Sequence, residues 1–462
     1  MLSLRLQQSL VGHFRTLPFK QKPFLFNSFL RRRLSAHKHY DYIIVGGGSS
    51  GSVLANRLSA NPNVSVLLVE AGKKDDYIWL HVPVGYLYCI NNPRSDWCFE
   101  TAAEKGLNNR KLIYPRGLGL GGCSLINGMI YMRGQKQDYD NWADAVRDPS
   151  WKWDAVLPLF KRQESYHSGT NEFHNAKGEW RVEKQRLRWD VLEVFRHAAN
   201  DFGIPETFDF NCGSNFGVGY FDVNQQQGWR LSAYQAFVKP IRKRPNLHIM
   251  SETLVDHLLF SEDHRDTCYG ISAVFGGQKT KFYASKEVIL SAGSVGSVQI
   301  LERSGIGNTI ALKNAGIPIR HNLDGVGENL QDHLQLRMVF RVSDQLKTLN
   351  VEAGTYLGKA KIGIEYALFR TGPMSMAPSQ LGAFCMSEKS ETRPNLQYHV
   401  QPLSLPKFGE DLDHFNAFTA SVCNLRPTSR GSIHIASPGN CQFMRSSFAC
   451  YPMNQCTVLI NK

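Results

Sequence analysis

Gly46-Gly47-Gly48-Ser49-Ser50-Gly51 satisfies the pattern G-x-G-x-x-G, and Glu70 follows nineteen positions after Gly51. Residues of these types at this spacing can hold a dinucleotide. Gly46 permits a tight turn, Gly48 lets a pyrophosphate approach the backbone, and Gly51 lets a helix pack closely on a strand. Ser49 and Ser50 sit where a helix would start, with free N–H groups and the positive end of its dipole. Glu70, with Ala71 beside it, can accept hydrogen bonds from ribose hydroxyls. An acid there suits a ribose without an extra phosphate, so FAD or NAD is favoured over NADP.

The chain around these residues must supply a βαβ unit. Asp41 to Val45 is a short β-branched run of the kind that forms a buried parallel strand. Ser52 to Ser59 carries Val53, Leu54 and Leu58 at helical spacing, and Val64 to Val69 is a second apolar strand. A glycine motif alone is weak evidence; strand, glycines, helix, second strand and acid together are strong. The early position of the unit leans towards a flavin.

A second glycine-rich stretch runs from Tyr114 to Gly134. Gly117, Gly119, Gly121 and Gly122 precede a helix-like apolar segment, implying backbone brought close to something flat or anionic. The run Gly121-Gly122-Cys123-Ser124-Leu125-Ile126-Asn127-Gly128-Met129-Ile130 resembles the first signature of the glucose–methanol–choline (GMC) oxidoreductases, most closely those that oxidise choline. The resemblance implies that Gly121, Gly122, Asn127, Gly128, Met129 and Ile130 line the pyrophosphate and isoalloxazine of FAD. Leu118 and Cys123 depart from the usual residues, and no glycine is lost. Ser291 to Gly307, after the strand Glu287 to Leu290, is similar to the second signature, with Val298 where the family usually has proline. Leu323 to His333, Trp229 to Tyr234 and Thr253 to Val255 also match, and the backbone of Val255 is implied as the adenine holder. The resemblance extends from residue 41 to about 440.

What it implies is FAD-dependent oxidation of a primary alcohol, choline to betaine aldehyde first, by hydride transfer to flavin N5. Electrons would pass to a membrane quinone or another electron-transfer acceptor. The alternatives are a sugar or other alcohol dehydrogenase, or a truncated, non-catalytic flavin-binding protein. A quaternary ammonium favours aromatic faces and a carboxylate, for which Trp180, Trp189, Phe195, Tyr220, Phe221, Tyr356, Tyr366 and Glu365 are candidates. The family's catalytic histidine, near the C-terminus and paired with His or Asn, has no match here, so no catalytic residue is assigned. Residues 441–462 contain no histidine, no glycine and three cysteines. That break suggests a truncated isoform or an incomplete gene model with little turnover. His333, beside Asp332, reads as a structural hydrogen-bond partner, and His434 lies on an alternating strand pattern away from the catalytic position.

Composition removes other classes. With 462 residues, 42% of them hydrophobic and 20% charged, the chain is globular and large enough for two domains. No apolar run approaches the roughly 18 to 20 residues of a membrane span. The net charge of +13 is concentrated in residues 1–40, which hold eight Lys and Arg and no Asp or Glu; +5 remains for the rest. Such an Arg-bearing, acid-free leader reads as a mitochondrial transit peptide, matrix-directed and with possible inner-membrane association of the product. No nucleic-acid partner is expected, the cluster Lys239, Arg242, Lys243 and Arg244 being a solvated helix end. The ten cysteines show no metal-binding spacing.

The expected fold is α/β, α+β overall: a discontinuous Rossmann-like FAD-binding domain plus an antiparallel-sheet substrate domain. The expected segments are 41–165 and 215–335 for the first, and 166–214 and 336–440 for the second, with 1–40 as leader and 441–462 as an atypical tail.

Overall fold

The computed structural model describes residues 38–263, 267–406 and 410–438, and the strand Met444–Ser447 by its backbone. Residues 1–37, and with them nearly all of the expected leader, lie outside the described residues, as does most of the expected tail. The elements that matter here run in chain order: β1 (His39–Val45), α1 (Ser49–Leu58), β2 (Val66–Val69), α2 (Asp190–Asp201), β3 (Gly217–Tyr220), β4 (Leu247–Met250), β5 (Thr253–Phe260), β6 (Cys268–Phe275), β7 (Gln278–Leu290), α3 (Gly293–Arg303), β8 (Gln335–Arg341), α4 (Tyr356–Phe369), β9 (Leu381–Cys385), β10 (Leu396–Gln401), β11 (Ala417–Asn424), β12 (Ser432–Ile435) and β13 (Met444–Ser447).

One sheet has six strands in the order β4-β2-β1-β7-β6-β5. β1, β2 and β4 are parallel, with Tyr42 opposite Val66 and Leu247 opposite Val66. Parallel strands read as continuous apolar runs because both faces are covered. Ile43, Val45, Leu67 and Val69 pack on one side with Val255, Ile271 and Ile300, while Ile44, Val66 and Leu68 pack on the other with Ala55, Leu120 and Val238. Burying each such side chain contributes roughly 1.5–3 kcal/mol relative to exposure.

β5, β6 and β7 form an antiparallel meander that folds back over this sheet. β7 makes the fold-back possible by length. Its thirteen residues pair with β6 over Gln278–Tyr283, and the chain beyond its end bonds to β1 through Ser291 N–H and the Val45 carbonyl at 2.8 Å. β5 is thereby returned towards β2, and the Thr253 N–H donates to the Glu70 carbonyl at 2.9 Å.

The second sheet is wholly antiparallel, in the order β8-β11-β10-β9-β3. Its place in the chain corrects one expected boundary. β3, which the division at 215 assigned to the cofactor domain, pairs with β9 through Gly382 opposite Gly219. Gly217 and Gly219 leave room for the segment around Thr207 to pass against the strand, so a short, glycine-bearing edge strand carries no apolar periodicity to betray it. Tyr398 and Val400 of β10, with Leu381 and Ala383 of β9, point into a core closed by Val191, Leu192 and Phe195 of α2 and by Leu349. The other face of the sheet has a different character, described below.

Candidate active site

The first glycine loop and α1 meet the second glycine loop and α3 around one cavity of about 460 Å³. Gly46, Gly48, Ser49, Ser50, Glu70, Ala71, Gly122 and Val255 line it, as the sequence reading requires of a cofactor site. Gly51 lies just behind: a Cβ there would strike the Gly46 carbonyl, which is the close helix-on-strand approach expected of it. Gly48 and Gly122 face each other, and a Cβ on Gly122 would come within 2.7 Å of the Gly48 Cα. The loops are tied by the Gly121 N–H, which donates to the Gly47 carbonyl at 2.8 Å.

Two helix N-termini open onto this space. α1 begins after Gly48 and α3 after Ala292; neither start has a side-chain cap, and neither first turn holds an acid. Uncapped N–H groups and two positive dipole ends suit a pyrophosphate. α3 was legible only through the family resemblance; Gly293, Ser294, Val295, Gly296 and Ser297 all line the cavity.

Glu70 has a role that spacing did not reveal. It is 7% exposed, and its two oxygens accept from the N–H of Gly47 and of Gly72, each at 2.8 Å. Burial pushes its carboxyl above the usual carboxylate range, and the N–H groups of Gly72 and Gly47 pull the other way. The acid therefore clasps the first glycine loop, and each oxygen keeps a lone pair for a ribose hydroxyl. At the far end, β5 breaks register between Val255 and His257. A bulge frees a backbone group from the ladder beside the cavity, where the Val255 backbone was expected to meet adenine. A cradle whose glycines tolerate no side chain, two uncapped helix ends and an acid at ribose distance along the chain fit FAD.

The cavity does not extend to the remaining expected residues. Gly121 (φ +118°) packs against the Leu125 side chain. Met129 is 1% exposed and packs on Val223 and Ala377, Ile130 packs near Phe221 and Phe384, and Gly128 faces Pro378. Asn127 is exposed. These residues form the junction between the cofactor cavity and the antiparallel sheet, because apolar side chains at 129 and 130 are better buried than turned to a polar ligand.

The junction is held by a residue quoted in the sequence without a role. Arg230 is 1% exposed and donates to the Asn127 carbonyl at 2.7 Å, to Asn127 Oδ1 at 2.9 Å and to the Ser124 carbonyl at 3.3 Å. Among the described residues no carboxylate pairs with it, and burial lowers its pKa to about 10. Its invariance of charge under these conditions makes it a fixed cation beneath the Asn127 loop.

Beyond Asn127 lies the second face of the antiparallel sheet. Register puts Arg337, Ser421, His399 and Gly382 in one row across four strands. The flanking rows are Gln335, Cys423, Gln397 and Phe384 on one side and Val339, Thr419 and Gln401 on the other. This face looks towards the junction: Phe384 packs with Phe221, Ile130 and Met132. Tyr86, whose phenol burial raises to about 12, also feels the charges of Arg230 and Arg337, which pull the other way. Burial and the proximity of His333 push His399 down to about 4, so its imidazole is neutral at pH 7. His333 is exposed and bonds to Asp332 through its backbone N–H, to Oδ1 at 2.9 Å, and not through the ring; the ring acts on His399 electrostatically.

The aromatic candidates for an ammonium cage do not converge. Trp189, Phe195 and Tyr220 belong to the core under α2, Trp180 stacks on Phe237, and Tyr366 donates to the Gly228 carbonyl at 3.0 Å. Tyr356 is 88% exposed on α4, and Glu365 accepts from Thr371. Of the set, only Phe221 is near the polar face, its ring 5.6 Å from that of His399. The packing value of large aromatics outweighed any shared site.

Known proteins share this architecture. Residues 40–335 match the family model of the GMC oxidoreductases. The chain is 37% identical to the alcohol dehydrogenase (acceptor) of Pseudomonas putida, over 86% of this chain and 72% of that protein. It is 37% identical to oxygen-dependent choline dehydrogenase 1 of Chromohalobacter salexigens, over 87% and 71%. Among solved structures it is similar to pyridoxine 4-oxidase from Mesorbium loti (26% identity, TM-score 0.78, 88% and 75% of the two chains) and to a formate oxidase (25%, TM-score 0.82, 92% and 79%).

Proposed function

The chain belongs to the GMC oxidoreductase family, and from that premise we propose that it oxidises a primary alcohol bound between the Asn127 junction and the polar face of the antiparallel sheet. FAD is its cofactor; when bound it supplies the two-electron acceptor that takes the hydride from the carbinol carbon at N5. The protein's part is placement. α1 and α3 would hold the pyrophosphate at their N-termini, Glu70 the adenosine ribose, and the Val255 backbone the adenine. Arg230 keeps the Asn127 loop in place where the alcohol would lie, and closely packed Met129 and Phe384 exclude water from one side of it. His399, neutral at pH 7, can exchange a hydrogen bond with a hydroxyl without adding charge.

The observation that carries this reading is the single cavity onto which Glu70, the glycine loops and two uncapped helix ends converge. Its test is anaerobic mixing of the purified holoprotein with primary alcohols. Bleaching of the bound flavin supports the reading; a protein that carries FAD and is bleached by dithionite but by no alcohol is a flavin-binding protein and not this enzyme. Choline has relatives' names in its favour and the scattered aromatic candidates against it. The acid-free, arginine-bearing leader supports a mitochondrial, matrix-side protein that passes electrons to a membrane quinone or another electron-transfer acceptor. Failure of residues 1–40 to carry a reporter into mitochondria would remove that part.

A further inference from the structure

The outward face of α4 is apolar. Leu357 is 85% exposed, Ile364 and Leu368 are more than half exposed, and Ala360 is exposed between them. Spacings of three and four residues set these side chains in one stripe along the helix. Tyr356 and Phe369 are exposed at its two ends. The opposite face is held: Tyr366 is buried, its hydroxyl donates to the Gly228 carbonyl at 3.0 Å, and its ring meets that of Trp229. A helix that is apolar on both faces is ordinarily covered on both, yet the outer stripe of α4 is left to solvent.

Charge indicates what suits the stripe. Lys361 stands beside it, four residues after Leu357 and three before Ile364, and Lys359 is exposed in the same turn. Neither is among the lysines that form ion pairs in the described residues, Lys136 and Lys286. Glu365, the one acid of the helix, is half-buried, accepts from the Thr371 hydroxyl at 3.1 Å and sits against Gly372. A second copy docked by two-fold symmetry would set the stripe against itself. The lysines of the two helices would then approach one another, and no outward acid of α4 would receive them. A bilayer with anionic headgroups supplies both missing parts: acyl chains for the apolar side chains and negative charge for the lysines, whose stems can lie along apolar surface. The ring and hydroxyl of Tyr356 suit the boundary between the two. At about 1.5 Å per residue the helix is roughly 20 Å long, shorter than a hydrocarbon core of about 30 Å. Among the described residues no helix is long and apolar enough to cross a membrane, so α4 would lie flat.

We propose that α4 is a membrane-docking helix that lies in the plane of an anionic bilayer, with Leu357, Ile364 and Leu368 among the acyl chains and Lys359 and Lys361 at the headgroups. The inference goes beyond the alcohol reading and does not rest on it.

The experiment mixes the full-length holoprotein with vesicles of phosphatidylcholine, alone or with added phosphatidylglycerol, and follows binding by co-sedimentation. Residues 1–40 are themselves basic, so amide hydrogen exchange over residues 355–370 is read in the same samples as a signal local to α4. On the anionic vesicles exchange in that segment slows at least about tenfold, and on the neutral ones it slows less. Leu357→Asp with Ile364→Asp removes the slowing and leaves the flavin spectrum unchanged, both side chains being exposed. Leu357→Ser with Ile364→Ser is the milder pair should the first not fold. Lys359→Gln with Lys361→Gln reduces the preference for anionic vesicles by about tenfold. Vesicle binding with no slowing at 355–370, the mark of docking through residues 1–40 alone, overturns the inference. Slowing that appears without vesicles as protein concentration rises identifies a second copy as the occupant and overturns it too. Absence of vesicle binding does the same and leaves the alcohol reading standing.

Discussion

In the six-stranded half the ligand-facing atoms are mostly backbone: glycine N–H groups, two helix starts and a bulged strand, with Glu70 as the principal side chain. In the five-stranded half the face towards the junction is built from side chains, Arg337, His399 and a set of amides and hydroxyls in register. On the proposed reading, the contrast follows what each half would recognise. A dinucleotide is the same molecule for every member of a family, and backbone groups held by obligatory glycines recognise it with little freedom to change. An alcohol differs from member to member, and side chains on a rigid sheet can be exchanged without disturbing the ladder that carries them.

The comparison breaks most visibly if a cofactor-half glycine tolerates a side chain. Gly51→Val drives a Cβ into the Gly46 carbonyl, where only backbone could yield. Overpacking of this kind costs about 1–3 kcal/mol or more, and the flavin-to-protein absorbance ratio of the purified variant is expected to fall at least tenfold. Gly363→Ala on α4 meets open space and is expected to leave that ratio unchanged while adding up to ~1 kcal/mol of stability; an equal loss in both variants would dissolve the distinction between the halves.

A smaller effect is expected at Glu70, whose side chain holds the glycine loop by its backbone. In Glu70→Gln a single amide oxygen remains to serve the N–H groups of Gly47 and Gly72. Leaving one buried donor unpaired costs about 1–3 kcal/mol, and FAD affinity measured by fluorescence quenching should weaken roughly tenfold with the protein still folded. Unchanged affinity would mean that the loop holds its shape without the clasp.

The smallest effect is at a latch between the loop that precedes β8 and the strand after the antiparallel sheet. His434 Nδ1 meets Glu302 at 2.6 Å and Nε2 meets Glu328 at 2.8 Å, while the Ile435 N–H donates to Glu302 at 2.8 Å. The hydrogen bond to Glu302 and then that to Glu328 raise the imidazole's pKa against the opposing effect of burial. With the folded value above the unfolded one, near 6.5, stabilisation is complete below pH 6.5 and fades as pH rises through the raised value. The Glu328 arm, whose carboxylate is 43% exposed, contributes under about 1 kcal/mol of it. Amide exchange at Ile433 and Ile435 should therefore speed up more than its intrinsic rate as pH rises. His434→Gln should remove that extra rise, and an identical pH profile in the variant would sink the latch.

Much of the cofactor half was legible because its requirements are local. Gly46, Gly48, Gly51 and Glu70 lie within one βαβ unit of 30 residues, and apolar runs of four or five residues mark its strands. The junction was legible only in part. Asn127 to Ile130 stand in a recognisable motif, yet Met129 and Ile130 answer to packing with Val223 and Phe384, partners about a hundred and more than two hundred residues away. Arg230 was visible as a letter and invisible as a role, since its partners are carbonyls that no side-chain pattern reports. β3 escaped notice because two of its four residues are glycines.

Sequence alone determined that this chain builds a dinucleotide cradle in a GMC-type framework, since glycines, helix starts and one acid act at fixed short spacing. Tertiary structure decided what shares the five-stranded face. Strand register aligned Arg337 with His399 and left acids out of the row, and core packing dispersed the aromatics that composition had offered as a cage. The row is closed by the pairing of β8 with β11, which sets Arg337 opposite Ser421 from far along the chain, and burial is set by the fit of whole layers, so neither could be read along the chain.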